Sequence, residues 1–379
     1  MPPSSVRRIA VFTKQLDAWN SGSGHHLNEI MAKILDLNGA RPLSKRYDFT
    51  FIHYKPSENV IYKRVRELII PRNPLRAIMI LRKERFDLVH YTPLTIYAPI
   101  WLVPNKKAAT IHGVEQLLIP RFFSPLEMFH ERKLVPLFAR KMDGILTVSN
   151  ATKQYMVRHF RVKPGRITVA YNGISREYRL RDREDLGSLK KYGVSGRYAF
   201  HISRFSERKN PWVLLEAFAV FVKKTGLDHR LVCAGKGWDG PKVADRAAAL
   251  GISGRLITPG FISEDEAGEL LAAADFFVFP SLAEGFGMPN VEAMAAGCPV
   301  ITSAAFAIPE IVGDAAAVIE NPLDVEAFAE AMGAIARDGV LRESLVRKGL
   351  ERIKLFSWDE AAEKLMAMYD RILSAGIER

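Results

Sequence analysis

The chain has 379 residues, a length that favours two domains over one, and its apolar content of 48% is ordinary for a soluble protein. Its two cysteines, Cys233 and Cys298, both lie in apolar stretches. We therefore expect buried thiols in a reducing compartment rather than a disulfide. The formal net charge of +12 indicates anionic partners.

The N-terminus runs directly into a short predicted strand, without the long apolar region of a secretory signal. The longest uncharged run, 91–105, contains three prolines. It falls short of the roughly 20 residues that a membrane-spanning helix needs. We therefore expect a cytoplasmic protein that does not cross the membrane.

Strand and helix patterns alternate through the N-terminal half. Short apolar runs predict strands at 8–12, 48–54, 88–91, 108–112, 144–148 and 166–170. Helical periodicity predicts helices at 26–37, 74–85, 125–141 and 150–160. The turn sequence Tyr171-Asn-Gly173 closes this half, and a polar, charged stretch, 175–196, follows it.

The alternation restarts after the polar stretch. Strands are predicted at 198–203, 230–234, 256–258, 276–279, 300–302 and 316–319. Helices are predicted at 211–224, 242–250, 264–273, 289–296, 325–337 and 359–373. Two successive series of this kind predict an α/β fold with two doubly wound, Rossmann-like domains facing across a cleft.

The most informative motif contains two glutamates, Glu284 and Glu292. Glu284 lies in a glycine-rich loop after a predicted buried strand, and Glu292 lies in the first turn of a helix predicted to begin at Pro289. Helix N-termini bind phosphate, and a carboxylate accepts hydrogen bonds from sugar hydroxyls. The motif therefore predicts a nucleotide-sugar site. A glutamate near a helix start is also favoured by the helix dipole alone, which is the structural alternative.

Two cations, Arg204 and Lys209, follow the first strand of the second half. They are predicted at the carboxyl end of that strand, where open α/β sheets bind their ligands. A guanidinium and an ammonium together can neutralise a diphosphate. The alternative is a pair of solvated loop cations, and the presence of Glu284 and Glu292 at the same sheet edge favours the diphosphate.

A dinucleotide-dependent dehydrogenase would show a similar alternation of strands and helices. Its fingerprint is G-x-G-x-x-G directly after the first strand. The nearest match, Gly22-Ser-Gly24-His-His-Leu27, lacks the third glycine and follows the strand only after a long polar loop. The phosphate-site candidates in the second half are therefore preferred.

Basic residues concentrate between Lys63 and Arg85, where they alternate with apolar side chains. A second patch, Arg121 to Lys133, mixes bases with aromatic residues. Such a surface can dock on an anionic membrane, or it can be a solvated face of a basic protein. Because no nucleic-acid-binding module is recognisable, we expect no nucleic-acid partner.

Several motifs together resemble the retaining GT-B glycosyltransferases of family 4, the glycosyl transferases group 1. They are Thr147-Val-Ser-Asn-Ala151, Val169-Ala-Tyr-Asn-Gly173, Ser203-Arg-Phe-Ser-Glu-Arg-Lys209, Ala234-Gly-Lys-Gly237, Pro259-Gly-Phe-Ile-Ser263, Pro280-Ser-Leu-Ala-Glu-Gly-Phe-Gly287, Val291-Glu-Ala-Met-Ala-Ala-Gly-Cys-Pro-Val300, Gly313-Asp-Ala-Ala316 and Phe356-Ser-Trp-Asp359. The resemblance covers nearly the whole chain and is strongest from Thr147 onward. It departs from the family near the N-terminus, where Ser21-Gly22-Ser23-Gly24 stands in place of paired glycines.

The resemblance implies roles for the candidate residues of the second half. Glu292 would accept from the ribose hydroxyls of a donor nucleotide, and Glu284 would face the hydroxyls of the donor sugar. Arg204 and Lys209 would hold the diphosphate. The remaining donor-site residues implied by the matching motifs are Gly235, Phe261, Gly285, Phe286 and Gly287.

Two residues of the first half complete the implied site. Gly22 would place its backbone N–H near the diphosphate. His112 would reach the donor sugar near its anomeric carbon, unless it is simply a neutral histidine that closes a strand. No metal ion and no cofactor is expected, because fixed cations can stabilise the leaving diphosphate.

The resemblance also implies a domain plan of three parts. Residues 1–173 would form an acceptor-binding domain, 174–357 a nucleotide-sugar-binding domain, and 358–379 a helix that crosses back to the first domain. The expected enzyme is a metal-independent, retaining hexosyltransferase. It would transfer a sugar from a nucleoside-diphosphate sugar to a lipid-linked or glycan acceptor, in cell-surface polysaccharide or glycolipid assembly at the inner face of the cytoplasmic membrane. The alternative is a catalytically inactive nucleotide-sugar-binding or scaffold protein of the same fold.

Overall fold

The computed structural model describes residues 6–18, 22–92, 94, 103–180 and 187–374. Ser21 and most of the middle of the uncharged run 91–105 lie outside the described residues. The chain forms two compact units. Unit 1 comprises Met1–Gly173 and Ser357–Arg379, and unit 2 comprises Ile174–Phe356.

Thirteen strands are found in the described residues. They are β1 (Arg7–Phe12), β2 (Tyr47–His53), β3 (Arg66–Ile69), β4 (Leu88–Tyr91), β5 (Lys106–Thr110), β6 (Gly144–Thr147), β7 (Ile167–Val169), β8 (Arg197–Ile202), β9 (His229–Ala234), β10 (Leu256–Gly260), β11 (Phe276–Phe279), β12 (Val300–Ser303) and β13 (Ala316–Ile319). Unit 1 contains a sheet with the order β3-β2-β1-β4-β5-β6-β7, and unit 2 one with the order β10-β9-β8-β11-β12-β13. Every strand pair is parallel, which confirms the predicted α/β class.

The α-helices of the described residues connect these strands. They are α1 (Gly22–Ala40), α2 (Pro74–Glu84), α3 (Glu115–Leu118), α4 (Pro125–Phe129), α5 (Val135–Ala139), α6 (Asn150–Tyr155), α7 (Gly187–Lys191), α8 (Pro211–Thr225), α9 (Pro241–Ala249), α10 (Glu264–Ala273), α11 (Met288–Ala295), α12 (Ile308–Val312), α13 (Val325–Arg337), α14 (Gly339–Arg352) and α15 (Trp358–Ser374). None of them combines the length and the hydropathy that crossing a membrane requires.

Strand β11 shows how the sheet of unit 2 is buried on both faces. Phe276 belongs to one apolar cluster, with Phe218 and Phe221 from α8. Phe277 and Phe279 point to the opposite face and belong to a second cluster, with Phe200. Successive side chains of a strand alternate between the two faces, so a strand covered on both sides needs an uninterrupted apolar run. This is why the sequence Phe-Phe-Val-Phe predicts β11 correctly.

The last helix, α15, packs within unit 1. Nine of its residues are buried, among them Leu365 and Tyr369. A Cβ atom added to Gly173 would lie 2.3 Å from the backbone N of Trp358, so the chain before and after unit 2 meets at close range. Ion pairs with α1 and with the loop after it flank the packed face, including Lys33 with Asp359 at 2.8 Å.

Several elements differ from the predictions, and three of the differences have a clear physical cause. The stretch from Lys63 to Arg85 contains an unpredicted edge strand, β3, before helix α2. The predicted helix 125–141 is interrupted by a π-helical turn, His130–Leu134. Pro136 explains the interruption, since it cannot donate the backbone hydrogen bond of a regular helix. Helix α14 was not predicted, because its charged sequence shows little apolar periodicity.

Candidate functional site

Four neighbouring strands of unit 2 end at the same edge of its sheet. β10, β9, β8 and β11 lie side by side and run parallel, so the loops that follow them are neighbours. The loop after β8 carries Arg204 and Lys209, and the loop after β11 carries Glu284. Gly235 follows β9, and Phe261 follows β10. The fold therefore brings these predicted site residues to one sheet edge.

The side chain of Glu284 joins the loops after β8 and β11. The residue is only 7% exposed. Its Oε1 accepts hydrogen bonds from Lys209 Nζ at 2.6 Å, from Arg208 Nη1 at 2.6 Å and from Ser281 Oγ at 2.5 Å. Three donors thus converge on a single carboxylate oxygen.

Glu284 is ionised in spite of its burial. Burial is the largest single effect and raises its pKa, but the charges of Lys209 and Arg208 act in the opposite direction. Together with the hydrogen bonds from Lys209 and Ser281 they outweigh burial and lower the pKa to about 2. The site therefore presents a buried, fully charged carboxylate, a strong acceptor for hydroxyl groups.

Arg208 is a site residue that the sequence analysis did not single out. Its Nη1 also donates to the carbonyl oxygen of Ala283 at 2.8 Å, and its own carbonyl oxygen accepts from the backbone N–H of Leu282 at 2.9 Å. Both its side chain and its backbone are thus bound to the loop after β11. In the sequence Arg208 resembles any basic loop residue. The one available signal is its position directly before Lys209 in the motif.

Lys209 and Arg204 differ in their surroundings. The side chain of Lys209 is 12% exposed, and its Nζ lies 4.6 Å from the centre of the Phe279 ring. It is therefore not the solvated loop cation of the alternative interpretation. Arg204 is exposed at the same sheet edge, so its surroundings do not distinguish between the two interpretations.

Two glycines shape the loops at this edge. Gly235 has a φ of +115°, and a Cβ atom there would lie 2.1 Å from the carbonyl oxygen of Ser203 in the loop after β8. Gly287 has a φ of +89° and forms the N-terminal cap of α11. Both positions need backbone conformations that other residues rarely adopt, so the two loops can approach each other and α11 can begin directly after the loop.

The two aromatic residues predicted for the site differ in exposure. Phe261 is 68% exposed at the end of β10. Phe286 is buried, and its ring packs edge-on against Phe356 at 5.5 Å. The ring of Phe261 is thus accessible to a planar ligand group, whereas that of Phe286 fixes the loop to the core of unit 2.

Glu292 lies one residue further along its helix than predicted. α11 begins at Met288 rather than Pro289, because the left-handed Gly287 is its cap. Glu292 is therefore the fifth residue of the helix, in the second turn rather than the first. It is partly buried, and its charge adds to the effect of burial in raising the pKa of Tyr178.

Asn290 in the first turn of α11 has a buried side chain whose amide lacks partners. It is 0% exposed, and neither its Oδ1 nor its Nδ2 has a hydrogen-bond partner among the described residues. A Cβ atom on Gly287 would lie 3.1 Å from this Nδ2, so the amide lies beside the glycine-rich loop. A buried amide without partners is costly and is rare in folded proteins.

Gly22 and His112 of unit 1 both lie outside the elements in which they were predicted. Gly22 is the first residue of α1 rather than part of a loop. Strand β5 ends at Thr110, so His112 follows the strand instead of closing it. Its Nε2 is buried and has no hydrogen-bond partner among the described residues. Burial, followed by the nearby His26 and His90, lowers the pKa of His112 well below its ordinary value, which keeps the ring neutral.

His26 on the first turns of α1 links these residues. Its ring packs edge-on against that of His112, with centroids 4.6 Å apart. Its Nδ1 lies 2.8 Å from Oδ1 of Asn172. The start of α1 and the loop after β5 therefore form one polar cluster in unit 1. Among the described residues of the whole chain, no group of three or more His, Cys, Asp or Glu is arranged to hold a metal ion.

Two family models match the chain. "Glycosyl transferases group 1" matches residues 190–352, and "Glycosyltransferase Family 4" matches residues 37–178. Together they span most of both units and contain nearly all of the site residues described above. The chain belongs to the GT-B glycosyltransferases of group 1. The predictions of a group 1 glycosyltransferase, of the GT-B fold and of an enzyme are therefore confirmed.

Individual relatives agree with the family models. The glycosyltransferase is 28% identical over 294 residues to "O-antigen chain mannosyltransferase B" of Escherichia coli, a match that covers 76% of this chain and 77% of that one. It is 27% identical to "MMP alpha-(1->4)-mannosyltransferase" of Mycolicibacterium hassiacum, with 98% and 81% covered. Its fold is similar to that of Anabaena Alr3699/HepE in complex with UDP and glucose, with a TM-score of 0.78, 16% identity and 96% and 100% covered.

Proposed function

We propose that this glycosyltransferase transfers a hexose from a nucleoside-diphosphate sugar to a glycan or lipid-linked acceptor, with retention of the anomeric configuration. The buried, charged Glu284 beside Lys209 at the carboxyl edge of the unit 2 sheet carries the proposal. A carboxylate for sugar hydroxyls and a cation for a diphosphate are the two groups that such a donor needs.

The donor-site roles follow from the chemistry of each group. Glu284 binds hydroxyls of the donor sugar, while Lys209 and Arg204 neutralise the charge that grows on the leaving diphosphate. Glu292 accepts from the ribose, and the exposed ring of Phe261 is available to stack on the base. Gly235 and the backbone from Gly285 to Gly287 complete the donor site.

In unit 1, we assign sugar and phosphate contacts to His112 and to the N-terminus of α1. The unpartnered Nε2 of His112 can hydrogen-bond to a hydroxyl of the donor sugar. The backbone N–H of Gly22, at the start of a 19-residue helix, is available to a phosphate oxygen. Both assignments follow from the resemblance, although α1 begins earlier and β5 ends earlier than the sequence predicts.

The relatives guide the choice of donor and pathway. Two of them are named as mannosyltransferases, and one acts on an O-antigen chain. We therefore propose mannose as the transferred sugar and cell-surface polysaccharide or glycolipid assembly as the process. Because Arg204 and Lys209 supply the positive charge at the leaving group, the proposed reaction needs no metal ion and continues in excess EDTA.

The decisive experiment is a donor screen. UDP-, GDP- and ADP-hexoses are incubated with the purified protein, and nucleotide release is measured with and without glycan acceptors. We expect nucleotide release from one mannose donor, and NMR should show an α-linked product.

A variant tests the assigned role of Glu292. Glu292→Gln should weaken nucleotide binding by about 1.5–3 kcal/mol, the contribution of a charge-assisted hydrogen bond. Glu326→Gln, on the exposed face of α13, is the control. The proposal would be contradicted if none of the donors were turned over, or if Glu292→Gln bound the nucleotide with wild-type affinity.

The basic surface around α2 supports a peripheral membrane location. Leu75 and Met79 are 71% and 64% exposed on the same helix face, and the exposed Arg72 and Arg76 lie beside them. Apolar side chains flanked by arginines suit an interface with anionic lipid. We therefore propose that this surface docks on the inner face of the cytoplasmic membrane.

Vesicle sedimentation tests the docking surface. We expect binding to phosphatidylglycerol vesicles that weakens with added salt and is lost in Arg72→Glu/Arg76→Glu. The matched control is Arg158→Glu/Lys163→Glu, an equal charge change at exposed positions near β7. Equal loss in both double variants would show a general charge effect and exclude a specific surface.

A further inference from the structure

The convergence of two cations on one carboxylate raises a question of charge balance. Lys209 Nζ and Arg208 Nη1 both lie 2.6 Å from Glu284 Oε1. If Glu284 faced Lys209 alone, the pair would be electrically neutral, and the lysine would offer little net attraction to a diphosphate. With Arg208 included, the three side chains carry a net charge of +1.

Several hydrogen bonds hold Arg208 beside Glu284. Its Nη1 donates to the carbonyl oxygen of Ala283 as well as to the carboxylate. Its carbonyl oxygen accepts from Leu282 N at 2.9 Å. The neighbouring Asn210 donates to the carbonyl oxygen of Pro280 at 3.1 Å. Arg208 is therefore bound, by both its side chain and its backbone, to the loop that carries Glu284.

Lys209 is held differently. Its Nζ donates to one oxygen of the Glu284 carboxylate and lies 4.6 Å from the centre of the Phe279 ring. An ammonium has three N–H donors on a flexible stem, so it can add a phosphate oxygen without leaving Glu284. Whether it attracts a phosphate then depends on how far Glu284 is already neutralised by another cation.

We infer that Arg208 is a positioning residue that neutralises and orients Glu284, so that the charge of Lys209 remains available to the diphosphate of the donor. This inference rests on the proposed function, in which Arg208 has no assigned role. Arg208 acts through Glu284 and does not itself bind the donor.

A charge-balance cycle tests the inference by the binding of a nucleoside diphosphate. The probe is whichever of UDP and GDP binds the wild-type protein, measured by calorimetry. Arg208→Gln leaves a neutral pair and should weaken binding about tenfold. Glu284→Gln leaves two cations and should bind at least as tightly as wild type. Arg208→Gln/Glu284→Gln restores the net charge of +1 and should return to within about threefold of wild type.

The control is Arg246→Gln, which removes an arginine that is paired with Glu216 on the helices of the same unit. Arg208→Lys keeps the charge and should retain most of the affinity. The inference would be overturned if Arg208→Gln bound the nucleotide with wild-type affinity. It would also be overturned if Arg208→Gln/Glu284→Gln bound no more tightly than Arg208→Gln, because that result indicates a merely structural role for Arg208. Absence of binding by the wild-type protein would instead contradict the proposed function.

Discussion

At the scale of single residues, the carboxyl edge of the unit 2 sheet combines satisfied and unsatisfied buried polar groups. Glu284 receives three donors on one oxygen, whereas the buried amide of Asn290, at the start of α11, has no partner among the described residues. Such a group lowers stability by about 1–3 kcal/mol. Natural proteins keep such costs mainly where function requires them.

Replacing Asn290 by leucine separates stability from function. The two side chains are similar in size, and leucine removes the unsatisfied amide. We expect Asn290→Leu to raise the free energy of unfolding by about 1–2 kcal/mol in urea titrations. Because the amide lies beside the glycine-rich loop, we expect donor turnover to fall at the same time. A destabilised variant with normal turnover would show that Asn290 is an ordinary core residue.

At the scale of elements, the predictions succeeded where local rules decide the outcome. α10 was predicted without error, because Ser263 and Glu266 form a capping box and apolar residues follow at helical spacing. Glu284 and Lys209 were placed at the correct sheet edge, because both follow strands. Arg208 could not be found in this way, since its role arises from contacts between loops that are 76 residues apart in sequence.

The errors at the start of α1 and at β3 have related causes. Gly22 and Gly24 are poor helix formers, yet the helix begins at Gly22 because packing outweighs intrinsic propensity. Strand β3 is a four-residue edge strand with two charged residues, and only its pairing with β2 defines it. In both cases the long-range contact determines the local structure.

The join between β7 and α15 gives a prediction at this scale. A Cβ atom at Gly173 would clash with the backbone and ring of Trp358, whereas one at Gly165 would meet nothing within 4 Å. We therefore expect Gly173→Ala to lower the stability of unit 1 by about 1–3 kcal/mol, the usual cost of overpacking. Gly165→Ala is the matched control and should be close to neutral. Denaturant unfolding measures both, and equal values would contradict the close packing of Gly173.

At the scale of the whole molecule, buried histidines make stability depend on pH in the mildly acidic range. Burial lowers the pKa of His26 and His201 to about 4 and that of His90 to about 3. A histidine in the unfolded chain titrates near 6.5, so the unfolded state binds more protons below that pH. Protonation therefore favours unfolding as the pH falls from 6.5 towards 4.

We expect the free energy of unfolding to drop between pH 7 and pH 5 by about 2 kcal/mol for each of these histidines. His26 and His90 belong to unit 1 and His201 to unit 2, so unit 1 should lose more. Urea titrations at both pH values measure the change. The carboxylate of Glu284 titrates in a separate window, below pH 4.5, because its pKa is lowered. A flat profile between pH 7 and pH 5 would contradict the neutral state of these histidines.

The division of the chain between the units has a consequence for protein synthesis. Unit 2 is one uninterrupted segment, whereas unit 1 is completed only by α15 at the end of the chain. While the ribosome translates the intervening residues, about 10–40 s at usual elongation rates, the apolar surface that α15 covers stays open. The second unit is thus ready to fold before the first is finished. The order of assembly is therefore the reverse of the order of translation. Chaperones that bind nascent chains can bind the apolar surface that α15 later covers, during the time in which unit 2 is translated.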